Sequence, residues 1–546
     1  MTGTHDNLVG DYLETYQTFK PTKPERYNWA YEIFDKWGDD PDHLAMVWVS
    51  DADESKEITY REFTERSKRL ANALSGIGAQ PGDRVLTMMH RVPEWWEIVL
   101  ASIRGRFVSA PGTTLMTPKD IAYRINTADV SVVFTDAENV GKVEEARSEC
   151  PGLREIVIVG GNSGNYHDYE ELVGNASTEL PNPNNSADDL LMLYFTSGTT
   201  GYPKMVPITH ASYPIGHIST GKFWMDQRPT DLHWTLSDTG WAQAAWSCFF
   251  GPWNMGSALF IHDQRGKYDP KSTLEMLEKY PITTFFAPPT AYRMLVLEDL
   301  ESFQPKALRH CMGAGEPVNP EVIDAWQNGV GMHIWEAYGQ TESTLLAATF
   351  PGMKHKPGSM GVTAPGYYMA VVDDDGNERS DGQEGEIAVR VTPDWPVGLY
   401  PGYLENEEAN AKVFRGDWYY TGDRATRDED GYFWFIGRAD DVIISASYRI
   451  GPFEVESALL EHDACAEAAV VAKPDPVRTN IVKAFVVLAP GYEASDEILV
   501  QLQDHVKTTT APYKYPREIE FLPELPKTIS GKIRRTELRE REGASS

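Results

Sequence analysis

Four short runs set the architecture of this chain: Leu232–Leu236, Thr283–Ala287, Leu308–Met312 and His333–Tyr338. Each has the length of a strand and enters a polar or glycine-rich turn. The turns are Ser237-Asp-Thr-Gly-Trp241, Pro288-Pro-Thr290, Gly313-Ala-Gly-Glu-Pro317 and Gly339-Gln-Thr-Glu342. Strands that alternate with helices of about ten to fifteen residues belong to sheets covered by helices on both faces. The pattern therefore predicts an α/β fold with a parallel, doubly wound sheet. Ligands of such sheets sit outside the carboxyl ends of the strands, so the four turns are expected to converge on one crevice.

The same alternation begins earlier. After a lead-in with a helix over 28–37, Phe63, Leu70, Leu74 and Ile77 recur at helical spacing. Strands are expected over 84–89, 107–111, 130–135 and 156–159, with a helix over 95–103. The Pro/Asn/Ser-rich piece 181–189 reads as a surface linker into a further strand, Leu190–Phe195. That strand runs into Thr196-Ser-Gly-Thr-Thr-Gly-Tyr-Pro-Lys204. Here Thr196, Ser197, Thr199 and Thr200 supply hydroxyl donors, Gly198 and Gly201 let backbone N–H groups approach an anion, and Lys204 adds a point charge. A flexible surface turn has similar composition. The preceding strand and the following lysine favour a phosphate cradle. The spacing is neither that of a Walker A loop nor that of a dinucleotide turn, and the loop alone does not name a reaction.

A chain of 546 residues exceeds a single core. From about Pro357, glycine turns and short alternating runs such as Gly385–Arg390 predict a small β subdomain, and the texture changes again after Asp440. The expected domains are 1–439 and 440–546. Eighty-one acidic against 50 basic residues give a formal charge of −31, which argues against nucleic acid and anionic membranes. That excess fits a high-salt cytoplasm as well as an ordinary acidic enzyme. No membrane span is expected, since Ala245–Ile261 is broken by Pro252, Asn254 and two glycines. Residues 1–20 lack the apolar core of a secretory signal. The four cysteines are far apart, without a C-x-x-C pair, which reads as a reducing cytoplasm rather than a zinc or disulfide framework.

In order along the chain stand YFTSGTTGYPK (194–204), SDTGW (237–241), GAGEP (313–317), EAYGQTE (336–342), YYTGD (419–423), FIGRADD (435–441), YRIGPFEVES (448–457), PDPVR (474–478) and TISGK (528–532). This series resembles the adenylate-forming superfamily, most of all its medium-chain acyl-CoA synthetases. The resemblance covers the chain from about 190 to its end. It implies a large N-terminal domain of parallel doubly wound α/β subdomains plus a small β subdomain, and a small mobile α+β C-terminal domain. It also implies a two-step ligase that uses ATP, Mg²⁺ and coenzyme A. A short- or medium-chain carboxylic acid, branched or aromatic acids included, becomes acyl-AMP plus pyrophosphate, then acyl-CoA plus AMP. Such nucleotidyl transfer needs positioning and charge neutralisation, not a Ser-His-Asp set.

Carried over by the resemblance, Thr196 to Lys204 would hold the β- and γ-phosphates. Gly315, Glu316 and Pro317, with Glu336, Ala337, Tyr338, Gly339 and Gln340, would frame the adenosine. Thr341 would touch the α-phosphate and Glu342 would ligate Mg²⁺. Asp423 would accept the ribose hydroxyls and Arg438 would contact ribose and phosphate. Asp440 would be the hinge, and Lys532 would stabilise charge developing at the α-phosphate. Ala446, Ser447, Tyr448, Arg449 and Arg478 would meet CoA, with Lys507 a weaker candidate. Trp241 would face the acyl group. Trp246, Phe249 and Phe250 suit a pocket wall or plain core.

Two positions depart from the family pattern. Ser447 replaces a glycine, which narrows the path of pantetheine and gives weight to an acyl-AMP ligase with an acceptor other than CoA. Ala242-Gln243 replaces Gly-Lys, so substrate length is not transferable. A non-catalytic adenylate-binding module is a third reading, opposed by the presence of Lys532, Glu342 and Asp423.

Overall fold

The computed structural model describes residues 5–161, 164–196, 203–439, 441–445, 448–476, 478–527 and 532–543. Two large sheets organise the N-terminal part. In one of nine strands, Leu232–Thr235, Ala258–Asp263, Thr284–Ala287, His310–Ala314 and Ile334–Gly339 lie parallel to one another. The four runs named first in the sequence are thus adjacent in space, His310–Ala314 between Thr284–Ala287 and Ile334–Gly339. Their side chains are buried against helices such as Pro270–Lys279 and Pro320–Val330, as double winding requires.

The seven-stranded sheet holds Arg84–Met88, Val108–Pro111, Val130–Asp136 and Glu155–Val159 in parallel pairing. At its edge Leu190–Thr196 pairs antiparallel with Lys204–Thr209, with Thr196 opposite Lys204. The expected phosphate loop therefore joins two antiparallel strands. Its residues Ser197, Gly198, Thr199, Thr200 and Gly201 lie outside the described residues.

The expected linker 181–189 is only partly superficial. Asn185 and Ala187 are buried, and the backbone of Ala187 bonds to Glu25 and Ala211. Asn185 also accepts from Asn28 Nδ2 at 2.9 Å, which ties this stretch to the lead-in.

A five-stranded antiparallel sheet forms the predicted β subdomain and includes Gly385–Arg390, Trp418–Arg427 and Phe433–Arg438. The next strand, Ile443–Ser445, belongs to a separate pair with Tyr448–Ile450. The change of sheet falls between Arg438 and Ile443, and Asp440 lies outside the described residues. A three-stranded sheet with helices Pro452–Leu460 and Asp496–Thr509 completes a small α+β C-terminal domain with its own core. All four cysteines are free and buried. Among the described residues no helix is long and apolar enough to cross a membrane.

Candidate active site

One cavity of ≈ 1390 Å³ is lined by the hairpin ends Thr196 and Lys204, the turns after the parallel strands, the β subdomain and the C-terminal domain. The convergence expected of the turns is observed. Gly315, Glu316, Pro317, Glu336, Ala337, Tyr338, Gly339, Gln340, Thr341, Glu342, Asp423, Arg438, Trp241 and Lys532 all line it.

Asp423 is 5 % exposed and held on three sides. Antiparallel pairing sets it opposite Arg438, whose Nη1 donates to Oδ1 at 3.1 Å. Tyr338 Oη and Gln340 Nε2 donate to Oδ2 at 2.6 and 2.7 Å. Gln340 is itself fixed, giving Nε2 to the Thr421 carbonyl and receiving Tyr419 Oη on its Oε1. The carboxylate is oriented before any ligand arrives, with one of its roughly four acceptor sites left for a hydroxyl donor.

Glu342 is nearly buried, and burial raises its pKa above the usual carboxylate range. Tyr403 Oη donates to its Oε1 at 2.7 Å, and Lys204 Nζ lies 4.7 Å from the centre of the Tyr403 ring. Burial also holds the Glu336 carboxyl well above its ordinary pKa. Its Oε2 accepts from the backbone N–H of Gly358 at 3.0 Å, so this side chain pins a loop while its strand lines the site. Glu316 faces Arg293 at 3.7 Å, and the Thr341 carbonyl accepts from Tyr213 Oη at 2.6 Å.

Elsewhere on the cavity wall, Gln243 donates Nε2 to the Ala314 carbonyl at 3.3 Å, next to Gly315 with its φ of +99°. Trp246 is 8 % exposed and lines the cavity, so it is wall and core at once. Phe249 and Phe250 are core only. Both pack against Trp29, turned inward where the helix is kinked at Cys248.

Lys532 is exposed and shares the cavity with Lys527 and Arg535 of the same domain. Arg535, three residues after the lysine, makes a paired contact with Glu456, Nη2 to Oε2 at 2.7 Å.

The CoA candidates are not gathered there. Among the described residues lining the cavity neither Tyr448 nor Arg478 occurs. Tyr448 is exposed and stacks on Tyr513 with ring centres 4.2 Å apart. Arg478 sits in a hairpin turn, its N–H bonded to Asp475. Arg449 lies on the strand Tyr448–Ile450, and Ala446 and Ser447 fall outside the described residues. Lys507 pairs with Asp504 on the surface of its helix. Sequence reasoning missed Tyr403, which follows a Pro-Gly turn and carries no local signal of its partners.

The family model of AMP-binding enzymes matches residues 33–404, and that of the AMP-binding enzyme C-terminal domain matches 454–532. The human acyl-coenzyme A synthetase ACSM3, mitochondrial, is 45% identical over 99% of this chain and 94% of its own length. The human mitochondrial ACSM5 synthetase is 44% identical over 95% and 91%. Among solved structures, the anthranilate CoA ligase AuaEII with anthranoyl-AMP has a TM-score of 0.87 at 28% identity, covering 95% of this chain and 98% of that one. An acyl-CoA synthetase of Brucella canis has 0.74 at 32% identity, covering 99% of each. The two human relatives are mitochondrial, which overturns the cytoplasmic expectation. Dispersed free cysteines mark a reducing environment and do not single out the cytosol. With both family models matched and full-length relatives at this identity, the chain belongs to the AMP-binding, adenylate-forming enzyme family, alongside the medium-chain acyl-CoA synthetases.

Proposed function

We propose that this protein is an AMP-forming acyl-CoA synthetase acting on short- or medium-chain carboxylic acids, with a place in fatty acid metabolism. The observation that carries the reading is the meeting in one cavity of Lys204, Glu342, Asp423 and Arg438 with Lys532 of the C-terminal domain. Asp423 receives the ribose hydroxyls, and Lys204 faces the outer phosphates of ATP. Lys532 and Arg438 offset the charge that builds on the α-phosphate as the carboxylate attacks and pyrophosphate leaves. Acyl-AMP then meets the CoA thiol, and AMP departs. The thioester step is assigned to residues around Tyr448, Arg449 and Arg478 after the domain turns about 440, with 1–439 and 440–546 as the moving bodies.

The donor set fits Mg²⁺. Glu342 is a buried carboxylate beside the proposed phosphate site, and no cage of three or more His, Cys, Asp or Glu surrounds it among the described residues. Mg²⁺ commonly takes one or two carboxylates and completes its shell with phosphate and water. When bound, it neutralises phosphate charge.

The test is an acid panel with ATP and Mg²⁺, following pyrophosphate, AMP and thioester with and without CoA. Pyrophosphate release without CoA and thioester only with it is the expected result. Lys532→Ala should slow pyrophosphate release by about a hundredfold or more while ATP still binds. Loss of ATP binding in that variant contradicts the role given to Lys532.

A further inference from the structure

The segment Tyr400–Leu404 touches two parts of the cavity that are remote in sequence. At one end the Tyr400 N–H donates to the Glu342 carbonyl at 2.8 Å. At the other the Leu404 N–H donates to the Met205 carbonyl at 3.0 Å, one residue beyond Lys204. Between them Tyr403 reaches both side chains. Its hydroxyl donates to Glu342 Oε1, and its ring lies under Lys204 Nζ. The tyrosine cannot easily shift. Asn410 brackets its backbone, accepting from the Tyr403 N–H at 2.6 Å and donating to the Tyr403 carbonyl at 2.9 Å. Tyr400 packs edge-on against its ring at 5.1 Å.

We propose that Tyr403 is a positioning residue that couples the metal-binding carboxylate to the phosphate-binding hairpin, so that Mg²⁺ and the outer phosphates of ATP are held as one unit. This rests on the roles given above to Glu342 and Lys204. The hydroxyl fixes which oxygen of Glu342 is turned to the cavity. The ring fixes the height of Lys204 through attraction of a cation to an aromatic face. The bond to Glu342 is buried, where a hydrogen bond to a charged group is worth more than at the surface, and Lys204 is half-buried beside it.

The two contacts can be removed separately. Tyr403→Phe keeps the ring and loses the bond to Glu342, and Tyr403→Leu loses both. ATP binding to the full chain is measured by titration calorimetry with and without Mg²⁺, beside Glu342→Gln and Lys204→Ala. In Tyr403→Phe the gain in ATP affinity brought by Mg²⁺ should fall about tenfold, the worth of one hydrogen bond to a charged group, with metal-free binding unchanged. In Tyr403→Leu metal-free binding should fall as well, approaching that of Lys204→Ala. A melting curve for Tyr403→Phe within a few degrees of the parent, as expected for an isosteric change, separates positioning from misfolding. Equal losses with and without Mg²⁺ in Tyr403→Phe, or none, overturn the coupling. If Glu342→Gln and Lys204→Ala also leave both titrations unchanged, the underlying site reading falls with it.

Discussion

At the scale of single residues, the site is built from carboxylates in different states. Asp423 carries three donors, so Asp423→Asn sets an amide N–H against Arg438, Tyr338 or Gln340 whichever way it turns. ATP affinity should drop by about tenfold or more, read by calorimetry. Glu336 is the opposite case, buried without a cation against it among the described residues, and its pKa is raised by burial. A raised carboxyl stabilises the fold below its unfolded pKa, and that contribution is lost as pH rises through the folded value. Glu336→Gln keeps an acceptor for Gly358 and removes the titration. The melting temperature of the variant should therefore fall less than that of the parent as pH rises from the ordinary glutamate range toward neutrality. Asp423 and Glu342 were legible because each stands in an ordered motif. Tyr403 was not, since its partners lie 61 residues away at Glu342 and on a distant hairpin at Lys204.

At the scale of elements, the strands that enter the four turns were legible to within a residue or two because each ends at a polar or glycine-rich turn, whereas the parallel strands Leu44–Ser50 and Ala258–Asp263 were not. The stretch Trp246–Phe250 was not. Its departure from helical geometry at Cys248 answers to tertiary packing, which throws Trp246 toward the cavity and Phe249 and Phe250 toward Trp29. The strand end at Gly339 depends on that placement. A Cβ there would sit 2.3 Å from the Trp246 ring and 2.5 Å from the Thr344 carbonyl, so Gly339→Ala must move both the indole and the backbone that follows Glu342. Its expected effect is a loss both of ATP affinity and of the parent's preference among acids in the panel. In the C-terminal domain, Arg535 and Glu456 hold the start of the last helix. Glu456→Ala leaves the guanidinium half-buried and unpaired by it, a loss of about 2–3 kcal/mol after allowance for its partial exposure. Thermal unfolding of the full chain should show an earlier transition for this domain.

At the scale of the whole molecule, the charge of −31 opposes the approach of a polyanion. The rate of ATP association should rise as salt is added from low ionic strength, because screening relieves a long-range repulsion. Stopped-flow fluorescence checks this, and a rate that falls with salt would show that the cationic groups of the cavity dominate the far field. The number and order of domains were legible from changes in texture, but compartment was not, as the mitochondrial relatives show. The thiols are spread through the whole fold, and their burial has a chemical consequence. Cys248, on the cavity wall, is pushed up to about 12, as are Cys311 and Cys465 in their cores. An acyl-adenylate is an electrophile, and a thiol reacts with it as the thiolate. Burial thus keeps the sulfur of Cys248, on the wall of the cavity, in its protonated and poorly nucleophilic form.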